Sequence, residues 1–392
     1  MALDVELTQP APAIENGAGG AGLHSGGDFD RNVVCLAGLP FDALDMAGAV
    51  ARLSRSVQDR TPLFLSTPNL NFLIGAQQDA SFRDSVIHSE LSVADGMPLV
   101  WIARLLGLPI RERVAGSCLF EALRDGAAAG LLGRPVSVFF FGGPPGVAEK
   151  ASAVINASGQ HMVCAGFHCP GFGSVEAMSS PEVIAAINAS GADFLVVALG
   201  AVKGQAWIER NRASLTVPVI SHLGAVVNFV AGTVNRAPVF WQRLGLEWLW
   251  RIKEEPALYR RYLMDALGLA RLLAVRILPY AIWQRVSGSR ARVPGQVSVT
   301  PADGGARIAL VGDMDAAAVD ALRAAMHQAV VGKAGVVIDL SACGHLGFEF
   351  FGLLLLLKKE LDALGLAFAL TGVSKAHRRL LFWNGLDYLP GC

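Results

Sequence analysis

Leu65-Ser-Thr-Pro-Asn-Leu-Asn-Phe72 and Leu91-Ser-Val-Ala-Asp-Gly-Met-Pro-Leu-Val-Trp101 are the two stretches that decide the fold. The first is a short apolar run that breaks into polar residues at Thr67 and Asn69. The second places one carboxylate, Asp95, beside a glycine and directly before an apolar, helix-like run. A lone aspartate at a glycine turn between two apolar segments is typical of a base presented at the rim of a sheet. The alternative is that Asp95 caps the helix that follows it.

Outward from these stretches, apolar runs of strand length alternate with segments of helical periodicity. The predicted strands are Val33–Ala37, Pro62–Ser66, Val136–Phe141, Met162–Ala165, Phe194–Ala198 and Val217–His222. Because strands and helices alternate, the pattern predicts an α/β fold with a mostly parallel sheet and helices on both faces.

Small and polar residues follow three of the predicted strands. Thr67 follows the second strand, Gly142 and Gly143 follow the third, and Gly200 follows the fifth. In open parallel sheets, ligands lie beyond the carboxyl ends of the strands, and free N–H groups at a helix start favour a diphosphate. These positions together suit a nucleotide-sugar site, although each glycine alone also fits a plain strand-to-helix turn.

The composition indicates a protein that is more apolar than most soluble domains. The 392 residues are 53% hydrophobic and 17% charged, whereas soluble domains carry roughly 25% charged residues. The sequence contains no uncharged apolar run of about 18 residues, the length that spans a bilayer, so we expect attachment to a membrane surface or a large buried interface. The net charge of zero offers no support for a nucleic-acid partner, and we expect none.

No metal or other cofactor is expected. The six cysteines are scattered, which fits reduced thiols better than a disulfide framework. His161, Cys164, His168 and Cys169 lie close together in sequence, but no second ligand pair at zinc-like spacing accompanies them. Two Asp-x-Asp strings, Asp28-Phe-Asp30 and Asp313-Met-Asp315, lie outside the predicted sheet domain. Without a metal, arginines would have to neutralise a leaving phosphate.

A basic segment interrupts the neutral chain. Between residues 243 and 292 there are ten basic and four acidic residues, which points to a local anionic partner such as phosphate or lipid headgroups. A helical wheel of Tyr259–Trp283 places its charges on one half and its apolar residues on the other, so it can lie in a membrane interface. Pro279 should end or kink this helix. The alternative to an anionic partner is a basic face that is simply solvated. The alternative to a helix in the membrane interface is a helix packed on the sheet of its own domain.

Changes in composition divide the chain. We predict a disordered leader at 1–30, an α/β domain at 31–245, an amphipathic helical appendage at 246–285, a linker at 286–295 and a small α/β domain at 296–392. The last domain has the pattern β-β-α-β-α-β-α.

The larger domain resembles a known family. The motifs that carry the resemblance occur in order: Thr67-x-Asn69, Ala94-Asp95-Gly96-x-Pro98, Arg113-Val-x-Gly116, Phe141-Gly-Gly-x-Pro-Gly-Val147, Pro170-Gly-Phe172, Leu199-Gly200, Gly224-Ala225, Ala231-Gly232, Arg236-Ala-Pro238 and Gly245-Leu-Glu-Trp-Leu-Trp-Arg251. Together they resemble the WecG/TagA/CpsF family of bacterial glycosyltransferases over residues 33–262. The resemblance implies a Rossmann-like sheet.

The resemblance also implies a reaction. Members move a sugar from a UDP-sugar donor to a polyprenyl-diphosphate-linked saccharide acceptor at the cytoplasmic face of the cell membrane. We therefore expect an inverting hexosyltransferase of surface polysaccharide or exopolysaccharide biosynthesis, peripheral on that membrane. Asp95 would be the catalytic base, and Thr67 would orient a substrate. The expected substrate-binding residues are Asn69, Gly142, Gly143, Lys203, Gln205, Arg236, Arg251, Arg260 and Arg261.

The chain departs from the family at several positions. Where many members have Pro-Lys-Gln-Glu, it reads Val202-Lys-Gly-Gln205, so Gly204 stands where Gln is common and Gln205 where Glu is common. Asn228 stands where the family commonly has Asp. These departures put the donor contacts in doubt. They motivate an alternative, in which a non-catalytic domain senses a UDP-sugar and signals through the C-terminal unit.

The C-terminal unit resembles the STAS domain of anti-sigma factor antagonists over residues 296–388. Phe350 and Phe351 occupy the positions where switching members have a phosphorylated Ser, so a phospho-switch is not expected. If exposed, the two phenylalanines would form an apolar patch for a protein partner. A buried helix start is the alternative.

Overall fold

The computed structural model describes residues 28–238, 240–241, 245–287, 293–302 and 304–392. By their contacts these residues form two compact units. The first unit contains residues 43–104 and 109–271, and the second contains 28–42, 105–108 and 272–392. Residues 33–42, which the sequence pattern places with the larger domain, therefore pack in the second unit.

The chain contains twelve strands within the described residues. In chain order they are β1 Val33–Leu36, β2 Leu39–Asp42, β3 Leu63–Ser66, β4 Leu91–Ser92, β5 Val136–Gly142, β6 Met162–His168, β7 Phe194–Ala198, β8 Val219–His222, β9 Gln296–Ala302, β10 Gly305–Met314, β11 Gly335–Leu346 and β12 Phe368–Thr371.

The α-helices are named in the same way for the described residues. They are α1 Met46–Asp59, α2 Leu70–Gly75, α3 Ala80–Ile87, α4 Met97–Leu105, α5 Gly116–Arg124, α6 Ala129–Leu132, α7 Val147–Ser158, α8 Pro181–Ala189, α9 Ala201–Asn211, α10 Gly224–Val230, α11 Glu247–Glu254, α12 Tyr259–Leu272, α13 Leu278–Ser287, α14 Val319–Val331, α15 Phe348–Leu364 and α16 Lys375–Trp383.

A six-stranded parallel sheet forms the centre of the first unit. Its strand order is β4-β3-β8-β7-β5-β6, and every neighbouring pair is parallel. The predicted fold class is confirmed. The two-residue strand β4 was missed, because a run this short has no periodicity to detect.

Both faces of this sheet are covered along the inner strands β3, β8, β7 and β5, which explains why these strands are almost continuously apolar. Leu65, Phe140 and Val196 point to one buried cluster, which includes Leu53 of α1. Their neighbours on the same strands pack in a second cluster with Trp207 of α9. With both faces buried, the carboxyl edge of the sheet is left for a ligand.

The second unit contains a four-stranded sheet of order β12-β11-β10-β9. Strands β10, β11 and β12 are parallel to one another, and β9 is antiparallel to β10. With α14, α15 and α16 they form the small α/β domain that the sequence predicts.

The antiparallel hairpin β1–β2 belongs to the second unit, where it packs against α15. A β-carbon at Gly352 of α15 would collide with the carbonyl oxygen of Val33, so glycine permits this close approach. Lys359 of the same helix forms an ion pair with Asp28. The predicted strand at Val33–Ala37 is therefore correct as a strand but does not join the large sheet.

Phe350 and Phe351 begin α15 and are buried, with 1% and 0% of their surface exposed. The expectation of an exposed apolar patch is wrong, and the alternative of a buried helix start is confirmed. The physical reason is that the hairpin and the sheet of this unit surround α15.

Phe29, within the predicted leader, is also buried in the described part of that segment. The rest of the leader (1–27) and residues 288–292 of the predicted linker lie outside the described residues.

In the predicted amphipathic helix, a charged residue is buried and several apolar residues are exposed. Asp265 is buried, whereas Leu263, Met264 and Leu267 on α12 are exposed. Pro279 does not end the helix, because a π-helical segment, Leu273–Ile277, precedes it and absorbs the break in hydrogen bonding. The helix Pro256–Ser287 is long and apolar enough to cross a membrane by length and composition, a test that a buried helix of a soluble protein can also pass.

Candidate active site

A cavity of about 690 Å³ lies at the carboxyl edge of the six-stranded sheet, within the first unit. Four strands reach it at or just beyond their ends, through Thr67, Gly143, Ala198 and His222. Carboxyl ends of parallel strands meet at one edge of a sheet, and the loops that follow them form a ligand site there. The cavity is large enough for a small-molecule substrate.

Asp95 lies in this cavity, between β4 and α4. Its Oδ2 accepts a hydrogen bond of 3.3 Å from the backbone N–H of Gly116. Its Oδ1 lies 3.5 Å from Nε of Arg113. Both contacts are made with residues at or just before the start of α5. Neither is made with α4, the helix that follows Asp95, so the position of this carboxylate is not explained by capping of α4.

Burial raises the pKa of Asp95 to about 6, against the opposing effects of Arg113, the Gly116 N–H and Arg236. Glu247 adds to the increase through its negative charge. A general base works best when its pKa lies near the operating pH. A carboxylate with this pKa, placed in the wall of the cavity, can accept a proton near neutral pH.

Thr67 and Asn69 also line the cavity. Thr67 is buried beside Gly116, where a β-carbon would lie 3.2 Å from the threonine side chain. Asn69 begins α2, and its Oδ1 accepts a hydrogen bond of 3.2 Å from the N–H of Phe72. The helix cap holds Asn69 in a fixed orientation at the cavity wall.

Two arginines of the basic segment reach the cavity, Arg251 of α11 and Arg261 of α12. Arg251 lies 5.3 Å from the ring centroid of Phe229 and 3.5 Å from Glu255, while its buried Nε has no hydrogen-bond partner. A guanidinium held in this way can donate its Nε–H to a phosphate oxygen without first giving up another hydrogen bond at that atom.

Helix α12 closes another part of the wall. Asp265 accepts a hydrogen bond of 3.0 Å from Nδ2 of Asn71. Burial raises the pKa of Asp265, against the effects of Asn71 and Arg261. This contact fastens the appendage to the polar stretch that follows β3, and it places Arg261 at the cavity.

The other predicted binding residues do not line the cavity. Lys203 donates a hydrogen bond of 2.8 Å to the carbonyl of Gly173, and Gln205 is buried with its Nε2 3.0 Å from Ser66 Oγ. Arg236 forms an ion pair with Glu121 of α5. Arg260 is exposed on α12. Gly142 packs against β7, since a β-carbon there would lie 2.8 Å from the carbonyl oxygen of Ala198. Only Gly143 of the two neighbouring glycines lies at the wall.

The cavity residues that were not assigned a role from the sequence include Arg113, Glu247 and His222. Arg113 and Glu247 lie within the family motifs given above, and this position is the sequence signal that could have identified them as site residues. His222 ends β8, and burial lowers its pKa to about 4, so the imidazole is neutral at pH 7. The sequence-based site therefore contained the right loops but not the full set of side chains.

The described residues contain no group of three or more His, Cys, Asp or Glu side chains placed to hold a metal ion. Asp313 accepts hydrogen bonds of 3.0 Å and 2.8 Å from the backbone N–H groups of Val293 and His345. Its carboxylate therefore stabilises the second unit.

A comparison with protein families finds a match for most of the chain. The family model "Glycosyl transferase WecG/TagA/CpsF family" matches residues 34–291. The chain belongs to this family. It is a glycosyltransferase, and the matched residues include the whole wall of the cavity. The expected resemblance is thereby confirmed.

Two further matches agree with this assignment. The chain is 27% identical over 226 residues to an N-acetylglucosaminyldiphosphoundecaprenol N-acetyl-beta-D-mannosaminyltransferase of Bacillus spizizenii, a match that covers 57% of this chain and 84% of that protein. Residues 297–391 match the model "Mlab, STAS domain". The C-terminal unit is thus a STAS-type domain, as expected.

Proposed function

We propose that the protein transfers a hexose-type sugar from a UDP-sugar to a polyprenyl-diphosphate-linked saccharide, in the assembly of a bacterial surface polysaccharide. The observation that carries this proposal is the cavity that combines Asp95, whose pKa is raised to about 6, with Arg251 and Arg261 from the appendage. A base and cationic groups in one enclosed site are what a displacement at a sugar diphosphate requires.

The proposed step is a single displacement. Asp95 takes the proton of an acceptor hydroxyl while that oxygen forms a bond to the anomeric carbon of the donor. The bond from that carbon to the phosphate oxygen breaks, and UDP leaves with the electron pair. Because attack and departure occur on opposite faces, the anomeric configuration inverts.

The negative charge that develops on UDP must be stabilised for this step to be fast. Arg251 and Arg261 line the cavity and are the cationic groups we assign to the diphosphate. Gly200 precedes α9, whose first turn has no side-chain cap, and it lies at the cavity wall. The free backbone N–H groups of that turn add to the favourable potential for an anion.

The activity named for the relative from Bacillus spizizenii supports the choice of acceptor. That protein acts on N-acetylglucosaminyl diphosphoundecaprenol and transfers N-acetylmannosamine. We infer an acceptor of the same class for this chain, with a hexose or N-acetylhexosamine as the transferred sugar.

A lipid-linked acceptor also fits the surface of the appendage. Helix α12 lines the cavity with Arg261, Asp265 and Leu269 and exposes Leu263 and Leu267 elsewhere on its surface. Trp101 and Trp248 line the cavity and are themselves partly exposed, at 50% and 42%. Apolar and tryptophan side chains of this kind favour a membrane interface, so we infer peripheral attachment to the cytoplasmic face of the membrane.

The direct test is to incubate the purified protein and acceptor-bearing membranes with a panel of radiolabelled UDP-sugars. The proposal predicts that one label enters the lipid fraction. Binding of a UDP-sugar without transfer of any label would favour the alternative of a sensing domain. That alternative rests on Gly204 and on Asn228, which lines the cavity. A protein partner of the STAS-type domain remains a prediction.

A further inference from the structure

Arg113 lies between two carboxylates at the wall of the cavity. Its Nη2 is 2.8 Å from Oε2 of Glu247, and its Nε is 3.5 Å from Oδ1 of Asp95. The closer of these two ion pairs is the one with Glu247. All three side chains are largely buried, with exposed fractions of 14%, 20% and 27% for Arg113, Glu247 and Asp95.

We propose that Glu247 is a positioning residue for the Asp95 base. It holds the Nη2 end of Arg113, so that Arg113 orients Asp95 through Nε without forming a close two-point pair with it. This inference rests on the proposed function, and it assigns a role in the reaction to a residue of the appendage.

The physical reason lies in the geometry of the guanidinium group. An arginine can bind one carboxylate through two parallel N–H groups, which gives a strong pair. Such a pair would stabilise the charged form of Asp95 and lower its pKa, and so weaken it as a base. Because Glu247 occupies Nη2, the positive charge of Arg113 is shared between two acids.

Glu247 also acts on Asp95 through its own charge. The charged groups that bear on Asp95 are Arg113, Glu247 and Arg236, together with the Gly116 N–H. Burial is the main cause of the raised pKa of Asp95, and Glu247 is the charged group that raises it further. The two arginines and the N–H group lower it.

The backbone places Glu247 where this contact is possible. Gly245 has a positive φ of 71°, and a β-carbon there would lie 2.9 Å from Cβ of Met97. The turn therefore packs directly against the start of α4, two residues after Asp95. The first turn of α11 then brings Glu247 to Arg113, so the base has its full set of neighbours only when α11 is docked.

The test is the pH dependence of kcat/KM for sugar transfer. Glu247→Gln keeps the size of the side chain but removes its charge, so the pKa of Asp95 should fall. We expect the acid limb of the profile to move to lower pH by about one unit, with slower transfer above the limb. Glu247→Asp keeps the charge and should keep the limb near its wild-type position.

The matched control is Glu254→Gln, at the other end of α11. Glu254 accepts a hydrogen bond of 3.4 Å from Nδ2 of Asn235, and its substitution should leave the acid limb unchanged. The position of the limb is the readout because a partly unfolded preparation would lose rate at every pH without moving the limb.

The outcomes separate this inference from the proposed function. An active Glu247→Gln variant whose acid limb coincides with that of Glu254→Gln overturns the inference and leaves the proposed function intact. Loss of transfer in Glu247→Gln but not in Glu247→Asp supports it. Loss in both variants with a lowered thermal midpoint contradicts it, because Glu247 would then act only in folding. Wild-type protein that transfers no sugar contradicts the proposed function itself.

Discussion

The ring of His222 occupies the space that a side chain at Gly204 would need. A β-carbon at Gly204 would lie 2.9 Å from Cγ of His222 and closer still to Cδ2. Gly204 is one of the positions at which the chain departs from the common family sequence. The structure explains this departure: glycine in α9 is the residue that leaves room for an imidazole at the end of β8.

We therefore predict that Gly204→Gln lowers the free energy of unfolding by about 1–3 kcal/mol, the usual cost of overpacking. The same substitution should cost less in a His222→Gly background, because the competing ring is gone. Denaturant unfolding of the four proteins in the double-mutant cycle measures both quantities. Gly130→Ala is the control, since nothing lies within 4 Å of a β-carbon there. Equal costs in both backgrounds would contradict the steric account.

Asp95→Asn should stabilise the protein at neutral pH. The pKa of Asp95 is raised to about 6, mainly by burial, so the folded state holds the proton more tightly than the unfolded chain. Stability is therefore lost as pH rises from about 4 to about 6, and an uncharged Asn avoids this loss. We expect a gain of about 1–3 kcal/mol at pH 8 that disappears below pH 4. Thermal unfolding at both pH values measures it, and a gain that is equal at both would contradict the assigned pKa.

The exposed apolar residues of α12 should support membrane binding. Leu267 is 58% exposed, so Leu267→Asp should be tolerated by the fold while it removes an apolar contact with lipid. Since burial of a leucine contributes about 1.5–3 kcal/mol, vesicle affinity should fall about tenfold or more. Sedimentation with anionic vesicles measures this.

The matched control for that experiment is Val331→Asp. Val331 is exposed at the end of α14, in the STAS-type domain. Equal loss of vesicle binding in the two variants would show that added negative charge, and not the apolar surface of α12, is responsible.

Phe351 should be a structural residue of the second unit. It is completely buried at the start of α15, and its truncation to Ala should cost about 3–5 kcal/mol of stability. Val331→Ala, at an exposed position, should cost almost nothing. Chemical denaturation monitored by circular dichroism measures the difference. If Phe351→Ala and Val331→Ala had the same midpoint, the buried position of the ring would be wrong.

The sequence predicts the sheet of the first unit well because its strands are apolar on both faces and are separated by helical periods. It also predicts the strands and helices of the STAS-type domain, where buried residues alternate with less buried ones along much of β10 and β11. It does not predict the partner of Val33–Leu36, since four consecutive buried residues look alike in a hairpin and in a central sheet. Packing of β1–β2 on α15 depends on the contact of Gly352 with Val33, which is far away in sequence.

The same limit applies to the site. Thr67 and Asn69 could be placed at the site because they follow a predicted strand, and Asp95 because it lies in a recognisable motif. Arg236 and Lys203 were expected at the substrate because they match positions of the family motifs, yet one pairs with Glu121 and the other with the carbonyl of Gly173. The direction in which a long side chain points depends on its tertiary contacts, so a local sequence pattern does not predict it.

The measurement that tests the central claim most directly is sugar transfer by Asp95→Asn, alongside binding of the UDP-sugar that the wild-type protein uses. The account predicts that transfer falls by at least about 100-fold, as expected for loss of a general base, while donor binding is retained. Transfer at the wild-type rate in Asp95→Asn would contradict the assignment of Asp95 as the base.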